Sequence, residues 1–206
     1  MSTGHPTKQA FLDTWPGGYR ENFEVYSMTS GKSEEELVSK CLTPFLNAEH
    51  TALEIGCGGG YWPENYLVPG FKRVIGIDLL PECPFKHPNF FYTEAGNQDY
   101  ACGWVGDASV DFVWSFGVFC HLPLEAIAEY VASAFRVLKP GGRAVLYFSN
   151  DDRRPGVSGD STADGGIMWC RNDVKTSMKL MKDAGFTGIT DLFPELHDTM
   201  LTGVKE

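Results

Sequence analysis

The sequence predicts an α/β fold in which helices cover both faces of a mostly parallel β-sheet. Its strand candidates are short and apolar throughout, whereas a strand with one solvent-facing side would alternate apolar and polar residues. These strand candidates alternate along the chain with helical segments. The length of 206 residues suits one domain, since domains usually hold about 100–200 residues. We therefore expect a single α/β domain whose ligand lies beyond the carboxyl ends of the strands.

Composition excludes several classes of protein. The chain is 43% hydrophobic and 21% charged, which is enough apolar material for a core and excludes a disordered chain. The net charge of −10 disfavours a protein that grips phosphate backbones, because such binding depends on Lys and Arg. The longest apolar stretch, Phe112–Leu124, has 13 residues, fewer than the roughly 20 of a membrane-spanning helix. We expect a cytoplasmic protein with neither nucleic acid nor membrane as partner.

The cysteines and histidines show no metal-binding pattern. The six cysteines form no CxxC pair and are widely spaced, so reduced thiols are expected rather than a zinc site or a disulfide framework. The start of the chain has no basic and apolar signal pattern, which favours the same reducing compartment. No HxH or HxxxH spacing is present, and the expected metal content is none.

The domain is expected to begin after an irregular arm. Residues 1–32 are rich in Gly, Pro, Trp and Tyr, and residues 33–206 carry the regular pattern. A helix is predicted for Ser33–Phe45, because Ser33 and Glu36 form a capping box ahead of apolar residues at helical spacing. The other predicted strands are Thr51–Ile55, Arg73–Ile77, Asn89–Thr93, Val110–Phe116, Arg143–Phe148, Thr187–Leu192 and Thr199–Val204, and the other predicted helices are Tyr61–Leu67, Leu124–Leu138 and Asp173–Ala184.

A glycine-rich loop follows the first predicted strand. Glycine is needed where the backbone turns tightly or approaches a ligand without a Cβ in the way. The loop reads GxGxG from Gly56 to Gly60, and Tyr61 occupies the place of the third glycine in a dinucleotide fingerprint. A dehydrogenase-like nucleotide binder is therefore disfavoured.

An acidic residue ends the second predicted strand, at a spacing from the glycine loop that suits a nucleoside-binding site. Asp78 lies 22 residues after Gly56. A carboxylate at this strand end can accept hydrogen bonds from both hydroxyls of a ribose. The glycine loop and Asp78 together predict a cofactor that contains a nucleoside.

Four segments resemble the motifs of class I S-adenosylmethionine-dependent methyltransferases, in the family's order and spacing. The resemblance covers residues 51 to about 149 and implies a Rossmann-like, doubly wound αβα sandwich of three layers. Its sheet would have seven mostly parallel strands, with the last strand antiparallel. The four segments are Leu53–Gly60, Gly76–Asp78, Ser109–Ser115 and Phe135–Arg143.

The resemblance also implies the cofactor, S-adenosylmethionine. Its methionine part would lie near Gly56 and Gly58, and its ribose on Asp78. The adenine would lie against residues that follow the third and fourth strands, where Asn97, Gln98 and Asp99 are alternatives for holding its amine. The implied cofactor-binding residues are Glu54, Gly56, Cys57, Gly58, Gly60, Asp78, Leu79, Asn97, Gln98, Asp99, Ser115, Phe116 and Gly117.

The segment after the fourth strand bears on which kind of acceptor atom is methylated. It lacks the Asn/Asp-Pro-Pro-aromatic motif of enzymes that methylate amines of bases, and Cys120 has no preceding proline of the kind found before a pyrimidine-attacking cysteine. An apolar, buried Cys120 is therefore expected. His121 lies at the carboxyl end of the strand and is the candidate base for a hydroxyl acceptor, with a structural role as the alternative.

The acceptor is expected to be a small molecule. Candidate acceptor-binding segments are the arm around Trp15, the pair Tyr61-Trp62, and the polar loop that begins at Asn150 and contains Arg153 and Arg154. Weak similarity of this loop to methyltransferases of saccharides favours a hydroxyl group. The alternatives are N-methylation of a small amine, or a domain that binds the cofactor without turnover.

Overall fold

A seven-stranded sheet forms the framework of the protein. The computed structural model describes residues 9, 12–13, 32–95, 100–153 and 172–206. The strands are β1 (Asn47–Ile55), β2 (Phe71–Asp78), β3 (Phe90–Glu94), β4 (Val110–Ser115), β5 (Leu138–Phe148), β6 (Thr187–Asp191) and β7 (Thr199–Val204).

The strand order confirms the predicted topology. The sheet runs β3-β2-β1-β4-β5-β7-β6. Pairs among β1 to β5 are parallel, whereas β7 is antiparallel to both β5 and β6. The direction of winding reverses between β1 and β4. In doubly wound sheets ligands bind at the carboxyl side of this switch point.

Helices and single turns connect the strands. The first helix begins with the predicted capping box, in which the Ser33 hydroxyl accepts from the Glu36 N–H. It ends earlier than predicted, because Pro44 directs the chain into a 3-10 turn. The helices are α1 (Glu34–Cys41), α2 (Val68–Gly70), α3 (Leu124–Val137) and α4 (Val174–Ala184), and the single turns are Thr43–Phe45, Pro63–Leu67 and Phe119–His121.

The helical segment after the glycine loop is longer than predicted. Pro63 does not end the helix, since the chain widens into a π-helical turn at Pro63–Leu67 and continues to Gly70. The side-chain amide of Asn65 donates to the Tyr61 carbonyl at 2.8 Å. This bond satisfies a main-chain acceptor next to the proline.

Strand β5 begins earlier than predicted. Pro140-Gly141-Gly142 was expected to separate a helix from a strand that starts at Arg143. In the structure β5 begins at Leu138, which pairs with Val110, and the register shifts before Arg143. Gly141 has φ +81°. The glycines therefore form an irregularity inside the strand, where only glycine adopts that backbone conformation easily.

Two apolar clusters cover the two faces of the sheet, as the uniformly apolar strands predicted. Leu53 and Ile55 of β1 face the cluster that includes α3, whereas Ala52 faces the cluster that includes α1. Glu54 lies between Leu53 and Ile55, so alternation points it to the α1 side. Within the described residues, no helix has the length and apolar character needed to cross a membrane.

Candidate cofactor and acceptor site

The glycine loop is fixed to the end of β2 by main-chain hydrogen bonds. The N–H groups of Gly56 and Cys57 both donate to the Ile77 carbonyl, at 2.8 and 3.0 Å. The Gly58 N–H donates to Asp78 Oδ2 at 2.7 Å. The predicted loop and the predicted acidic strand end are therefore in direct contact.

The segment after β4 lies against the same loop. Gly56 has φ +77°, and a Cβ on it would overlap Val118 Cγ2. Gly117 has φ +72°, but a Cβ there would meet no heavy atom of the described residues within 4 Å. Glycine is thus required at position 56 for close packing, whereas the backbone of Gly117 borders open space.

Asp78 already accepts two main-chain hydrogen bonds. Its second oxygen accepts from the Leu80 N–H at 3.1 Å. Asp78 and Leu79 are both partly exposed, so this end of β2 is accessible to a ligand. The predicted contact of Asp78 with a ribose stays a prediction.

Glu54 is a buried carboxyl group with no hydrogen-bond partner among the described residues. It is fully buried, and neither Oε1 nor Oε2 has a partner. Burial raises the pKa of Glu54 well above its usual value, and the nearby charge of Asp78 raises it further. Its neighbour in the β1–β4 register is Trp114, whose indole N–H is also buried and unpartnered. Sequence reasoning missed Trp114, because an apolar strand position carries no sign of an unpaired donor.

Ser115, Phe116 and Gly60, which were also predicted to bind the cofactor, lie at or beneath the carboxyl edge of the sheet. The Ser115 hydroxyl is fully buried and donates to the Ile55 carbonyl at 3.0 Å, which ties β4 to β1. Phe116 is partly exposed and packs against Trp62, with 5.1 Å between ring centroids. A Cβ on Gly60 would overlap Phe85.

His121 lies one turn beyond Val118. Its N–H donates to the Val118 carbonyl at 3.0 Å, and its side chain is partly exposed. Val118, which precedes this turn, packs on Gly56 of the glycine loop. Cys120 is 1% exposed and belongs to the apolar cluster, as expected for an apolar cysteine.

Aromatic residues next to the loop pack inward. Trp62 is 7% exposed and contacts Trp114 as well as Phe116. It is therefore a core residue rather than an exposed stacking surface. Tyr61 and Tyr66 both donate their hydroxyls to the Glu34 carboxylate. Burial raises the pKa of both phenols, and the negative charge of Glu34 adds to the effect.

A second polar cluster lies where β5 ends and β7 begins. Asp198 is fully buried, accepts the Tyr147 hydroxyl, and accepts the Asn150 N–H at 3.1 Å. His197 Nε2 lies 3.2 Å from Asp198 Oδ2. The sequence motifs gave no role to this cluster, because its members become neighbours only when β5 and β7 pair.

Arg153 has a structural role in this cluster. Arg153 belongs to the polar loop that the sequence predicts to bind the acceptor. It donates to Asp191 Oδ2 at 2.8 Å and to the carbonyls of Leu196 and Asp198. Its hydrogen bonds therefore hold the segment that precedes β7.

Several predicted residues lie outside the described residues. They include all three candidates for the adenine contact, as well as most of the arm and of the polar loop. Within the part of the chain that is described, no group of three or more His, Cys, Asp or Glu side chains is arranged to hold a metal ion. The predicted residues outside it are Asn97, Gln98, Asp99, Trp15 and Arg154.

The described edge fits S-adenosylmethionine, which carries a cationic sulfonium and a cationic ammonium group. The partly exposed Asp78 supplies a carboxylate, Glu54 supplies a buried carboxyl group without a partner among the described residues, and the backbone of Gly117 meets no described atom beside the loop. A buried carboxyl group without a partner is costly in a protein interior, and a cationic ligand is one group that could supply the missing partner.

Known proteins share the sequence pattern and the fold. Residues 30–190 match the family of methyltransferase domains. A tRNA U34 carboxymethyltransferase of Pseudomonas putida strain GB-1 is 26% identical, and the match covers 95% of this chain and 62% of the relative. The chain thus spans about three fifths of the length of the tRNA-modifying relatives that it matches.

Solved structures share the architecture. An S-adenosylmethionine-dependent methyltransferase from Mesorhizobium loti has a TM-score of 0.67 at 16% identity, covering 85% of this chain and 99% of its own. A 1,6-didemethyltoxoflavin-N1-methyltransferase from Burkholderia thailandensis, solved with S-adenosylhomocysteine, has a TM-score of 0.68 at 16% identity, covering 96% and 86%. With the family match to residues 30–190, these findings agree with the motifs: the chain belongs to the family of methyltransferase domains, its fold is that of the class I enzymes, and its cofactor is S-adenosylmethionine.

Proposed function

We propose that this chain transfers a methyl group to a hydroxyl of a small molecule, with His121 as the proton acceptor. The observation that carries the proposal is the packing of Val118 on Gly56, which brings the His121 turn onto the cofactor loop.

The cofactor supplies a methyl group that is already activated on a sulfonium. The chain's own part is therefore to bind and to align. In this proposal Asp78 holds the ribose, Glu54 faces the ammonium group, and the backbone of Gly117 lines the space beside the loop. The adenine contact is assigned to the segment of Asn97, Gln98 and Asp99.

A hydroxyl acceptor must lose its proton as the new bond forms. A positioned histidine contributes about 10²–10⁴-fold to such a step. The net charge of −10 supports a neutral acceptor, such as a saccharide, over one that carries many phosphates. The described cysteines are unbridged, which supports the proposed cytoplasmic location.

Transfer to a tRNA base is the second candidate. The relatives that match 95% of this chain are named tRNA U34 carboxymethyltransferases, which favours this candidate. The strongly negative charge argues against it. Transfer to a small amine is a third candidate, supported by the N1-methyltransferase among the structures that share the fold.

Calorimetry and a labelled-methyl assay test the proposal. S-adenosylmethionine and S-adenosylhomocysteine are expected to bind in the micromolar range, and NAD is not. Methyl transfer from radiolabelled cofactor is then measured to simple sugars, small hydroxyl compounds, small amines and bulk tRNA. Label on a sugar or another hydroxyl compound supports the proposal. Label only on tRNA or only on amines overturns it, and stable cofactor binding with no transfer favours a binding-only domain.

His121→Ala tests the assigned base. Turnover of the hydroxyl acceptor found in the screen is expected to fall by about 10²–10⁴-fold, because the acceptor proton loses its receiver. S-adenosylhomocysteine affinity is expected to stay within about twofold, as the loop is unchanged. His50→Ala, which alters a histidine near the amino end of β1, is the matched control. Unchanged turnover in His121→Ala contradicts the role.

A further inference from the structure

Glu54 and Trp114 are neighbours near the carboxyl ends of two adjacent strands. They are partners in the parallel register of β1 and β4, and each lies one residue before the last residue of its strand. Partners in neighbouring strands point to the same face of a sheet, and Trp114 belongs to the apolar cluster on the α1 side. Both side chains therefore lie on that face, next to the switch point at which doubly wound sheets bind ligands.

The polar atoms of this pair are complementary. The indole N–H of Trp114 can only donate a hydrogen bond, whereas the carboxyl oxygens of Glu54 can accept one. Both residues are fully buried, and none of these atoms has a hydrogen-bond partner among the described residues. A phenylalanine at position 114 would fill an apolar strand position without leaving a buried donor unsatisfied. A buried donor beside a buried acceptor fits a ligand that carries both an anionic and a cationic group.

The glycine loop has few main-chain donors left for an anionic group. Four of its N–H groups, in a segment that the structure describes throughout, donate to acceptors within the protein. They belong to Gly56, Cys57, Gly58 and Gly60. The acceptors are the Ile77 and Cys57 carbonyls and the Asp78 carboxylate. A ligand carboxylate at this edge therefore needs a donor from another element, and the indole of Trp114 is such a donor.

We propose that the indole N–H of Trp114 binds the carboxylate of the cofactor's methionine part. S-adenosylmethionine carries this carboxylate and its ammonium group on the same carbon atom. In the proposed function Glu54 faces the ammonium group, and the present inference rests on that placement. Trp114, the register partner of Glu54 on the next strand, then takes the carboxylate. The amino-acid end of the cofactor is thus recognised by one buried acceptor and one buried donor.

Aromatic rings cover the indole of Trp114. The ring centroid of Trp62 lies 5.2 Å from that of Trp114, and the centroid of Phe116 lies 6.3 Å from it. Phe116 is partly exposed and is followed by Gly117, whose Cβ position meets no described atom within 4 Å. Because Trp114 is fully buried, a carboxylate reaches its N–H only when a covering ring moves, and Phe116 is the ring that borders open space.

Calorimetry with three ligands tests the role of Trp114 in the full chain. The ligands are S-adenosylhomocysteine, its decarboxylated analogue, which keeps the amine, and 5′-methylthioadenosine, which lacks both groups. Trp114→Phe should raise the dissociation constant of S-adenosylhomocysteine by about 10- to 100-fold, because a hydrogen bond to a charged group is lost. The other two ligands should stay within about twofold. Trp104→Phe, the same change at an exposed tryptophan, should leave all three affinities within about twofold.

Glu54→Gln separates this inference from the proposed function. The variant should weaken binding of S-adenosylhomocysteine and of the decarboxylated analogue, because both carry the amine, and should leave 5′-methylthioadenosine unchanged. If Glu54→Gln changes none of the affinities while Trp114→Phe is selective for the carboxylate, only the placement of the ammonium group fails. The acceptor of the methyl group takes no part in these titrations, so their result does not depend on the proposed hydroxyl transfer.

Nuclear magnetic resonance of the parent protein gives a second measurement that does not depend on the folding of a variant. In protein labelled with nitrogen-15, S-adenosylhomocysteine should shift the indole proton resonance of Trp114 downfield, as a hydrogen bond to an anion does. The decarboxylated analogue should not. The proposal is overturned if S-adenosylhomocysteine leaves this resonance in place. It is equally overturned if Trp114→Phe weakens all three ligands by the same factor, since the loss is then one of packing.

Discussion

The carboxyl ends of β1 and β4 differ from the amino end of β4 in how their polar groups are paired. At the carboxyl edge, Glu54 and Trp114 are buried with unpartnered polar atoms among the described residues. Toward the amino edge, Asp111 accepts from Lys139 Nζ at 2.8 Å and from the Thr51 N–H at 2.9 Å. The hydrogen bonds of Asp111 stabilise the fold. We propose that a bound ligand supplies the partners that Glu54 and Trp114 lack among the described residues.

Arg136 shows how complete the pairing at the amino edge is. Its guanidinium donates to Asp107 and to the carbonyls of Ala101, Cys102 and Val105. These bonds hold the segment that leads into β4. A buried polar group is normally satisfied within the protein, and Glu54 and Trp114 depart from this rule among the described residues.

Alanine substitutions at one glycine of each edge should differ most in their effect on the free energy of unfolding. Gly56→Ala adds backbone strain and a clash with Val118, and we expect a loss of about 2–5 kcal/mol in the free energy of unfolding, with loss of cofactor binding. Gly141→Ala adds the strain alone, because its Cβ meets nothing within 4 Å, and should cost about 1–2 kcal/mol. Urea unfolding and calorimetry with S-adenosylhomocysteine measure both. Equal losses would contradict the comparison.

Arg136→Met tests the amino edge alone. The variant keeps the apolar stem but removes the hydrogen bonds to the segment before β4. We expect the free energy of unfolding to fall by about 2–3 kcal/mol, because charged donors are lost. Affinity for S-adenosylhomocysteine should stay within about twofold, since no cofactor residue is touched. A large loss of affinity at unchanged stability would show that the two edges are not separate in function.

Asp78→Ala and Asp111→Ala compare two carboxylates directly. Asp78→Ala should weaken cofactor binding by about 1–3 kcal/mol, the value of hydrogen bonds to a charged group. Asp111→Ala should leave cofactor binding unchanged and lower stability instead. Calorimetric titration of both variants measures the difference. Unchanged affinity in Asp78→Ala would refute the ribose assignment.

Glu54→Gln should change the dependence of stability on pH. The pKa of Glu54 is raised in the folded state by burial, so the stability that this group contributes is present below about pH 4.3 and is lost as pH rises through the folded pKa. A neutral glutamine is not subject to this loss. The stability of the variant relative to the parent should therefore grow by up to about 1.4 kcal/mol per pH unit in that window. Thermal unfolding between pH 4 and 8 measures it, and a flat difference would contradict the assignment.

Asp111 should show the opposite sign and so serves as the comparison for Glu54. Burial raises its pKa, but hydrogen bonds from Lys139 and the Thr51 N–H outweigh burial and leave the pKa lowered. Its contribution to stability is present above the unfolded value of about 3.9 and is lost as pH falls through the folded pKa. Acid unfolding of Asp111→Asn should show a weaker dependence on pH than the parent.

The strand pattern and the glycine loop could be predicted because their signals are local. The apolar strands, the capping box of α1, and the αL cap at Gly185 follow from residues next to one another. The errors occurred at prolines and glycines inside elements. Pro63 was expected to keep a helix short, but the helix widens there and continues to Gly70. The segment 140–142 was expected to separate a helix from a strand, but it lies inside β5 as an irregularity.

The sequence by itself determined the α/β class, the glycine loop and the acidic end of β2, since periodicity and glycine content act over a few residues. Only the tertiary structure decided which distant residues meet. Val118 packs on Gly56, and the Tyr147 hydroxyl donates to Asp198, so residues of different elements meet. The absence of a partner for Glu54 is also a tertiary property, because a hydrogen bond left unmade depends on every segment that packs around the group.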